Sequence, residues 1–256
     1  MWHVKYSHNS LFYQENGYVI LDNLLSVKEC DYIKRRLELH TTDDYNNILN
    51  PDRYEFLISQ SVNKIKGSMR ERIDYLKECK QTSKDIRELL KDKRVVGELE
   101  NLYERKFVGL STHMIWKQPG TEFSKQAWRP HQDNSYSKNK NGLTVTINIF
   151  LNDVTKENGC IYNYPGSHKE GLLAFETNKG WNNKNDPGNE VKVPKKYKKN
   201  DVTGSTGDMY IQHGNLIHGS YPNESKGMRG MYSSTYIVKG EEFESGYNAM
   251  RKEIGL

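Results

Sequence analysis

The sequence predicts a mainly β fold with flanking helices, organised as one domain over residues 1–256. Three observations predict it. Apolar residues within the first 105 positions recur at three- and four-residue intervals, the period of a helix buried along one stripe. Beyond Phe107 the pattern becomes short β-rich runs separated by Gly, Pro and Asn, as in a sandwich or barrel. Between Leu143 and Leu151 the alternation of apolar and polar residues is nearly complete. A chain of 256 residues can bury one large core, and 17 Tyr and 7 Phe add bulk to a hydrophobic content of only 35%.

The helical part covers residues 1–105. Gly17-Tyr18-Val19-Ile20-Leu21 reads as a short buried strand. Ser26 and Glu29, at capping-box spacing, then start a helix whose apolar stripe is Cys30, Ile33 and Leu37. A second amphipathic helix runs from Ile58 to about Leu76 through Val62, Ile65, Met69 and Ile73. Shorter helices are expected from Asp85 to about Lys93 and from Val95 to about Tyr103.

The β core is expected over 106–240. In its most regular strand Leu143, Val145, Ile147, Ile149 and Leu151 share one face, while Thr144, Thr146 and Asn148 share the other. That polar face points either to bulk solvent or into a barrel interior. Residues 178–206, rich in Asn, Lys, Gly and Pro, read as a long surface loop or a lid. Gly207 to Gln212 reads as a turn and a strand, and Met231 to Val238 as another strand.

The charges are 38 Lys and Arg against 33 Asp and Glu, a formal +5, with both signs interspersed. Lys195, Lys196, Lys198 and Lys199 concentrate part of the excess, but no regular aromatic spacing accompanies them, so a solvated loop is preferred to a nucleic-acid surface. Cys30, Cys79 and Cys160 are odd in number and far apart, which argues against a disulfide framework and for a reducing compartment. His3, Lys5 and His8 stand where a signal peptide needs an apolar run, and no stretch approaches the length of a membrane span. The expectation is a soluble cytoplasmic protein, monomer or homodimer, with a small-molecule substrate and neither nucleic acid nor membrane as partner.

The chemistry-bearing motif is His131-Gln132-Asp133. In an extended segment His131 and Asp133 project to the same side and can grip one ion. The triplet alone is weak, since eight His in 256 residues, with the 13 Asp of this chain, predict about 0.4 such triplets by chance. A distant third ligand strengthens it, because two His and one carboxylate hold Fe(II) and leave positions open for reactants. His218 is the candidate, 87 residues beyond His131, with His213 as competitor. Arg229, eleven residues past His218, enters the next strand. A hairpin pairing would bring its guanidinium near the metal to bind a carboxylate, with Ser220 donating to the same group. Alone, Arg229 reads as a surface ion pair.

Four pieces together resemble the phytanoyl-CoA dioxygenase family of Fe(II)/2-oxoglutarate oxygenases, over about Phe12 to Tyr236. They are the segment from Phe12 to Ile20, His131-Gln132-Asp133, Asn158-Gly159-Cys160 with Pro165-Gly166-Ser167-His168, and His218-Gly219-Ser220 followed by Arg229. The resemblance implies a double-stranded β-helix, a cupin-like jelly roll with flanking helices. It implies Fe(II) on His131, Asp133 and His218, with 2-oxoglutarate as cosubstrate and O2 as oxidant. Arg229 and Ser220 would hold the far carboxylate of 2-oxoglutarate, and Met114, Gln132 and Asn148 match positions that line that pocket in relatives. Asn148 stands where some members carry Trp.

The implied reaction is hydroxylation of a C–H bond in a small metabolite, releasing succinate and CO2. Asp133 favours that outcome, because related halogenases replace this carboxylate with a small residue. Trp128, Arg129, Tyr136 and Tyr162 are candidates for the substrate pocket, each with core packing or a surface charge as the plainer reading. His168 reads as structural. The competing function is a metal-binding jelly roll without catalysis, against which Arg229 and Ser220 argue.

Overall fold

The computed structural model describes residues 8–38, 48–49, 84–85, 87–117, 119, 127–177, 189–245 and 251–256. The chain opens with α1 (His8–Asn16), β1 (Tyr18–Leu21), α2 (Val27–Glu38), β2 (Ile48–Leu49) and α3 (Lys93–Tyr103). The strands β3 (Phe107–Lys117) and β4 (Trp128–His131) follow, then a single turn α4 (Asn134–Ser137), β5 (Thr144–Phe150), β6 (Ile161–Asn163), β7 (Phe175–Thr177) and β8 (Asn189–Val191). The chain closes through β9 (Asn200–Val202), β10 (Met209–His213), β11 (His218–Ser220) and β12 (Arg229–Val238).

Local chemistry accounts for the helix ends. Ser26 N–H donates to Glu29 Oε2 at 2.7 Å and Glu29 N–H returns to Ser26 Oγ at 3.3 Å, the reciprocal box expected at the start of α2. Residues 84–85 and 87–90 are helical, but the expected helix to Lys93 stops sooner. Asp92 accepts from Arg94 N–H at 2.9 Å and caps α3, so Lys93 begins the next helix. The helix expected from Ile58 to Leu76 lies outside the described residues, as does Cys79. Cys30 and Cys160 are buried free thiols.

The strands form two main antiparallel sheets. The larger has the order β1-β10-β5-β12-β3-β2 and the smaller β4-β11-β6-β9. Eight strands, β3 to β6 and β9 to β12, thus divide four and four between facing sheets, the topology of a double-stranded β-helix. The expected jelly roll is the fold observed.

Val145, Ile147, Ile149 and Leu151 pack on one side of the larger sheet against Leu25, Cys30, Val95 and Leu99 of the helical part. Burying each such aliphatic side chain contributes about 1.5–3 kcal/mol, which holds the helices on that face. The opposite face, carrying Thr146 and Asn148, is also buried, at 5% and 4% exposure. It therefore looks into the space between the sheets, where Phe150, Ile161, Val202, Tyr210 and Met231 form a second core. Among the described residues no helix is long and apolar enough to cross a membrane.

Two expectations change here. The segment 178–206 contains β8, paired with β7, and β9, paired with β6, because Val191 and Val202 bury their side chains amid the polar composition. Residues 178–188 lie outside the description. The hairpin expected between the His218 and Arg229 strands does not form. β11 pairs with β4 and β6, whereas β12 pairs with β3 and β5, so the two strands belong to opposite sheets. Arg229 consequently approaches the interior from the sheet opposite His218.

Candidate functional site

His131 ends β4, Asp133 follows it into the turn that starts α4, and His218 begins β11 as the ladder partner of His131. Pairing places the two imidazoles side by side, with ring centroids 4.2 Å apart. His131 Nδ1 lies 2.8 Å from Arg129 O and His218 Nδ1 lies 3.0 Å from Leu216 O. Each backbone carbonyl accepts the Nδ1 hydrogen, fixes the tautomer and turns the Nε2 lone pair inward. Asp133 Oδ1 is 3.6 Å from His131 Nε2 and 3.5 Å from His218 Nε2.

These three residues are the group among the described residues whose ligand atoms, all within 4.8 Å of one another, suit a metal ion. His213 is excluded from it. It pairs with Val145 on the helix-facing side and takes Asn215 N–H on its Nδ1 at 3.0 Å.

The electrostatics favour the ligating protonation states. Burial works against ionised Asp133, but the adjoining His218 and His131 outweigh it and hold the carboxyl well below its usual range. Burial pushes the His218 pKa down to about 4 against the opposing pull of Asp133, so this imidazole is neutral at pH 7. A carboxylate and inward lone pairs fit Fe(II) in donor type and count.

Gln212, on β10, was not singled out from sequence. Its Nε2 donates to Asp133 Oδ2 at 2.8 Å and lies 3.0 Å from His218 Nε2, so one amide nitrogen bridges two ligands. The available signal was the alternation of Tyr210 and Gln212 with Met209 and Ile211, which puts Gln212 on the inner face.

The other end of the interior carries cations. Arg229 is 1% exposed, and its Nη2 donates to Gly159 O at 3.0 Å. Among the described residues its Nε and Nη1 have no partner, although both are buried. Such guanidinium N–H groups cost free energy unless an acceptor meets them, and an anion does so best. Burial lowers the Arg229 pKa to about 10, which still leaves it charged at pH 7. Ser220, two residues past His218 on the same face of β11, accepts from Lys117 Nζ at 2.8 Å. Lys117, fully buried on β3, is a second residue that sequence reading passed over.

The remaining candidates divide. Trp128 and Tyr136 flank His131, with ring centroids 5.7 and 6.4 Å from its own. Asn148 faces the interior from β5. Met114 pairs with Tyr232 in the β3–β12 ladder, and its side chain lies outside the description.

Gln132 points the other way. Its Nε2 donates to Gly171 O and Asn215 O and its Oε1 accepts from Leu173 N, so it braces loops in place of the expected pocket role. Arg129 is exposed and paired with Glu190 at 2.7 Å, a surface ion pair. Tyr162 is opposite Gly219, the residue between His218 and Ser220, and so sits on the outer face, its hydroxyl on Trp128 O at 3.0 Å. A Cβ at Gly219 would collide with that hydroxyl, which explains the glycine. In the lysine run, Lys196 pairs with Glu170 at 2.6 Å and Lys199 lies 4.1 Å over the Tyr162 ring, both outside the smaller sheet.

Comparison with known proteins agrees with this geometry. The model of the family described as phytanoyl-CoA dioxygenase matches residues 13–231. A phytanoyl-CoA dioxygenase of Arabidopsis thaliana is 25% identical over 267 residues, covering 90% of this chain and 87% of that protein. An L-proline trans-4-hydroxylase of Streptomyces griseoviridis is 30% identical over 128 residues, covering 43% of this chain and 48% of that one. Among solved structures, the epimerase SnoN in complex with Fe3+, alpha ketoglutarate and nogalamycin RO superposes with a TM-score of 0.66 at 17% identity. That match covers 97% of this chain and 94% of that one, and at such identity it speaks to the fold.

Proposed function

The chain belongs to the phytanoyl-CoA dioxygenase family of Fe(II)/2-oxoglutarate oxygenases, and from that premise we propose that it hydroxylates a C–H bond of a small-molecule metabolite. One observation carries the reading. A His-Asp-His set with both imidazoles buried and a buried guanidinium with two N–H groups unmatched among the described residues share one interior, joined through Ser220, which stands two residues past His218 and touches Lys117, the ladder partner of Arg229.

In this reading His131, Asp133 and His218 hold Fe(II) through two Nε2 atoms and one carboxylate. The iron, when bound, supplies the activation of O2 that is coupled to decarboxylation of 2-oxoglutarate to succinate and CO2. The chain's own residues do the rest. Backbone carbonyls of Arg129 and Leu216 keep the imidazoles turned inward. Arg229 and Ser220 receive the far carboxylate of the cosubstrate, and Asn148 lines the same interior. Trp128 and Tyr136, bordering His131, position the substrate C–H bond and exclude water from it. Asp133 keeps a carboxylate on the metal, which favours hydroxylation over halogenation.

The test uses Fe(II)-loaded protein. Anaerobic addition of 2-oxoglutarate should produce a metal-to-ligand absorption band. Candidate metabolites should then be scored for substrate-dependent succinate release and for a product carrying one oxygen atom from labelled O2. The likeness to an L-proline trans-4-hydroxylase puts amino-acid-like compounds first in that panel, with small natural products and acyl thioesters after them. Fe(II) binding with no response to 2-oxoglutarate would instead support a metal-binding jelly roll without catalysis. Succinate release with an oxygen-free product would keep the oxygenase and remove the hydroxylase.

A further inference from the structure

Lys117 and Arg229 are direct partners in the antiparallel ladder between β3 and β12, so their side chains leave the same face of the larger sheet. Both are buried, at 0% and 1% exposure. They bracket Gly159. Arg229 donates to its carbonyl, and a Cβ there would lie 3.1 Å from Lys117 Cδ. The lysine crosses the interior to the smaller sheet, where its Nζ donates to Ser220 Oγ at 2.8 Å and to Tyr221 O.

Placing an ammonium beside a guanidinium in a low-dielectric interior is costly. The Ser220 hydroxyl and the Tyr221 carbonyl, the two acceptors described for Nζ, are both uncharged. A carboxylate entering between Ser220 and Arg229 would supply the opposite charge. The Lys117–Ser220 hydrogen bond also prepares that encounter, because a hydroxyl that accepts from Nζ keeps its own hydrogen for the incoming anion.

We propose that Lys117 is a second cation of the cosubstrate clamp, sharing the far carboxylate of 2-oxoglutarate with Arg229 and Ser220. The inference rests on the oxygenase reading and adds a residue and a pH dependence to it. Burial, reinforced by Arg229, lowers the Lys117 pKa to about 6, so in the anion-free protein the amine is mostly neutral at pH 7. The carboxylate favours the ammonium, and binding therefore draws a proton from solvent onto Nζ.

Other groups around the lysine do not titrate in the same window. Arg229 stays charged below about pH 10, and burial pushes the Cys160 thiol up to about 11. His113, on the same face of β3, is lowered to about 4 by burial. The Tyr221 phenol is raised far above neutrality, by burial first, and is bonded to Asp201 at 2.8 Å.

The experiment is calorimetric titration of Fe(II)-loaded protein with 2-oxoglutarate, without O2, from pH 6 to 8.5 in pairs of buffers with different ionisation enthalpies. In this range the ligand is a dianion, and the iron fixes the state of the histidines. The wild type should take up about one proton per ligand near pH 7.5, and Kd should weaken by up to about tenfold per pH unit above 6. Lys117→Met should bind more weakly at pH 6, with no slope and no proton uptake. Lys117→Arg should also lose the slope while keeping affinity at pH 8.5. Should the Met variant not fold, wild-type proton uptake decides alone. Tight wild-type binding with no uptake, or a Met variant with the wild-type slope, overturns the role of Lys117 and leaves the oxygenase reading intact. A wild type that binds no 2-oxoglutarate at any pH overturns both.

Discussion

The two ends of the interior solve opposite electrostatic problems, and they are not equally complete. At the metal end the three ligands are partnered: His131 and His218 give their Nδ1 hydrogens to carbonyls, and Gln212 Nε2 serves both Asp133 and His218, while Gln212 Oε1 and Thr146 Oγ1 are buried without a partner among the described residues. At the cation end Arg229 spends one nitrogen on Gly159 O and leaves Nε and Nη1 buried without an acceptor among the same residues. The first arrangement can persist with an amide in the place of a cation. The second lacks acceptors, and an anion supplies them best. The cation end is therefore the more diagnostic of a bound cosubstrate, although the metal end carries the recognisable motif.

The largest effect should come from breaking the metal end. Asp133→Ala or His131→Ala removes one of three ligands, and succinate formation should fall to the background of metal-free protein. Retained turnover in either variant would remove the site assignment. At the cation end, Arg229→Ala should mainly weaken 2-oxoglutarate, because truncating a buried group that holds an ion costs about 2 kcal/mol or more, or roughly 30-fold in Kd. Fe(II) affinity should be nearly unchanged. An equal loss at both ends would mean that Arg229 supports the fold and not the ligand.

That asymmetry also explains what was legible in the chain. Alternation from Leu143 to Leu151 identifies a strand and its two faces, but not which face meets water. Thr146 and Asn148 look inward because a second sheet covers them. Gln132 and Arg129 are near the ligands in sequence and point elsewhere, Gln132 because neighbours on an extended segment emerge on opposite faces and Arg129 because the β4–β11 ladder is irregular at its position, while Tyr162 faces outward as the partner of Gly219. His218 and Arg229 are eleven residues apart and read as a hairpin, yet the jelly roll sends their strands to opposite sheets. Lys117 gives no local sign of its burial. A lysine closing an apolar run resembles an ordinary solvated strand end, and only the pairing with Arg229 and the reach to Ser220 reveal it.

A smaller effect tests how far the metal end depends on its support. Gln212→Leu removes the donor to Asp133 Oδ2 and keeps the bulk, so the carboxylate loses its orientation while all three ligands remain. Losing such an outer hydrogen bond typically costs 10- to 100-fold in metal affinity or activity. Fe(II) titration should show a loss in that range with 2-oxoglutarate affinity in the saturated protein little changed. An unaltered Fe(II) Kd would mean that Asp133 is oriented without the Gln212 amide.

The smallest effect concerns the ligand-free fold and has a definite sign. Lys117 has a folded-state pKa of about 6, below its ordinary value of 10.5, so above pH 6 the unfolded chain binds more protons than the folded one. Stability should rise with pH from about 6 toward 10.5 on account of this residue, and its penalty should be greatest at or below pH 6. Replacing it with Met fills the space without the charge, as buried ionic groups exchanged for apolar ones often allow. The variant should then melt higher than wild type at pH 6, with a gain of about 1 kcal/mol or more, a Tm rise of about 2–4 °C for a chain of this size. The difference should shrink as pH increases and reverse its importance when 2-oxoglutarate is added, since only the lysine-bearing protein gains from the anion. A Met variant that is less stable at every pH would show that the Lys117 hydrogen bonds to Ser220 and Tyr221 are part of the framework, and that the interior tolerates the charge without needing a ligand.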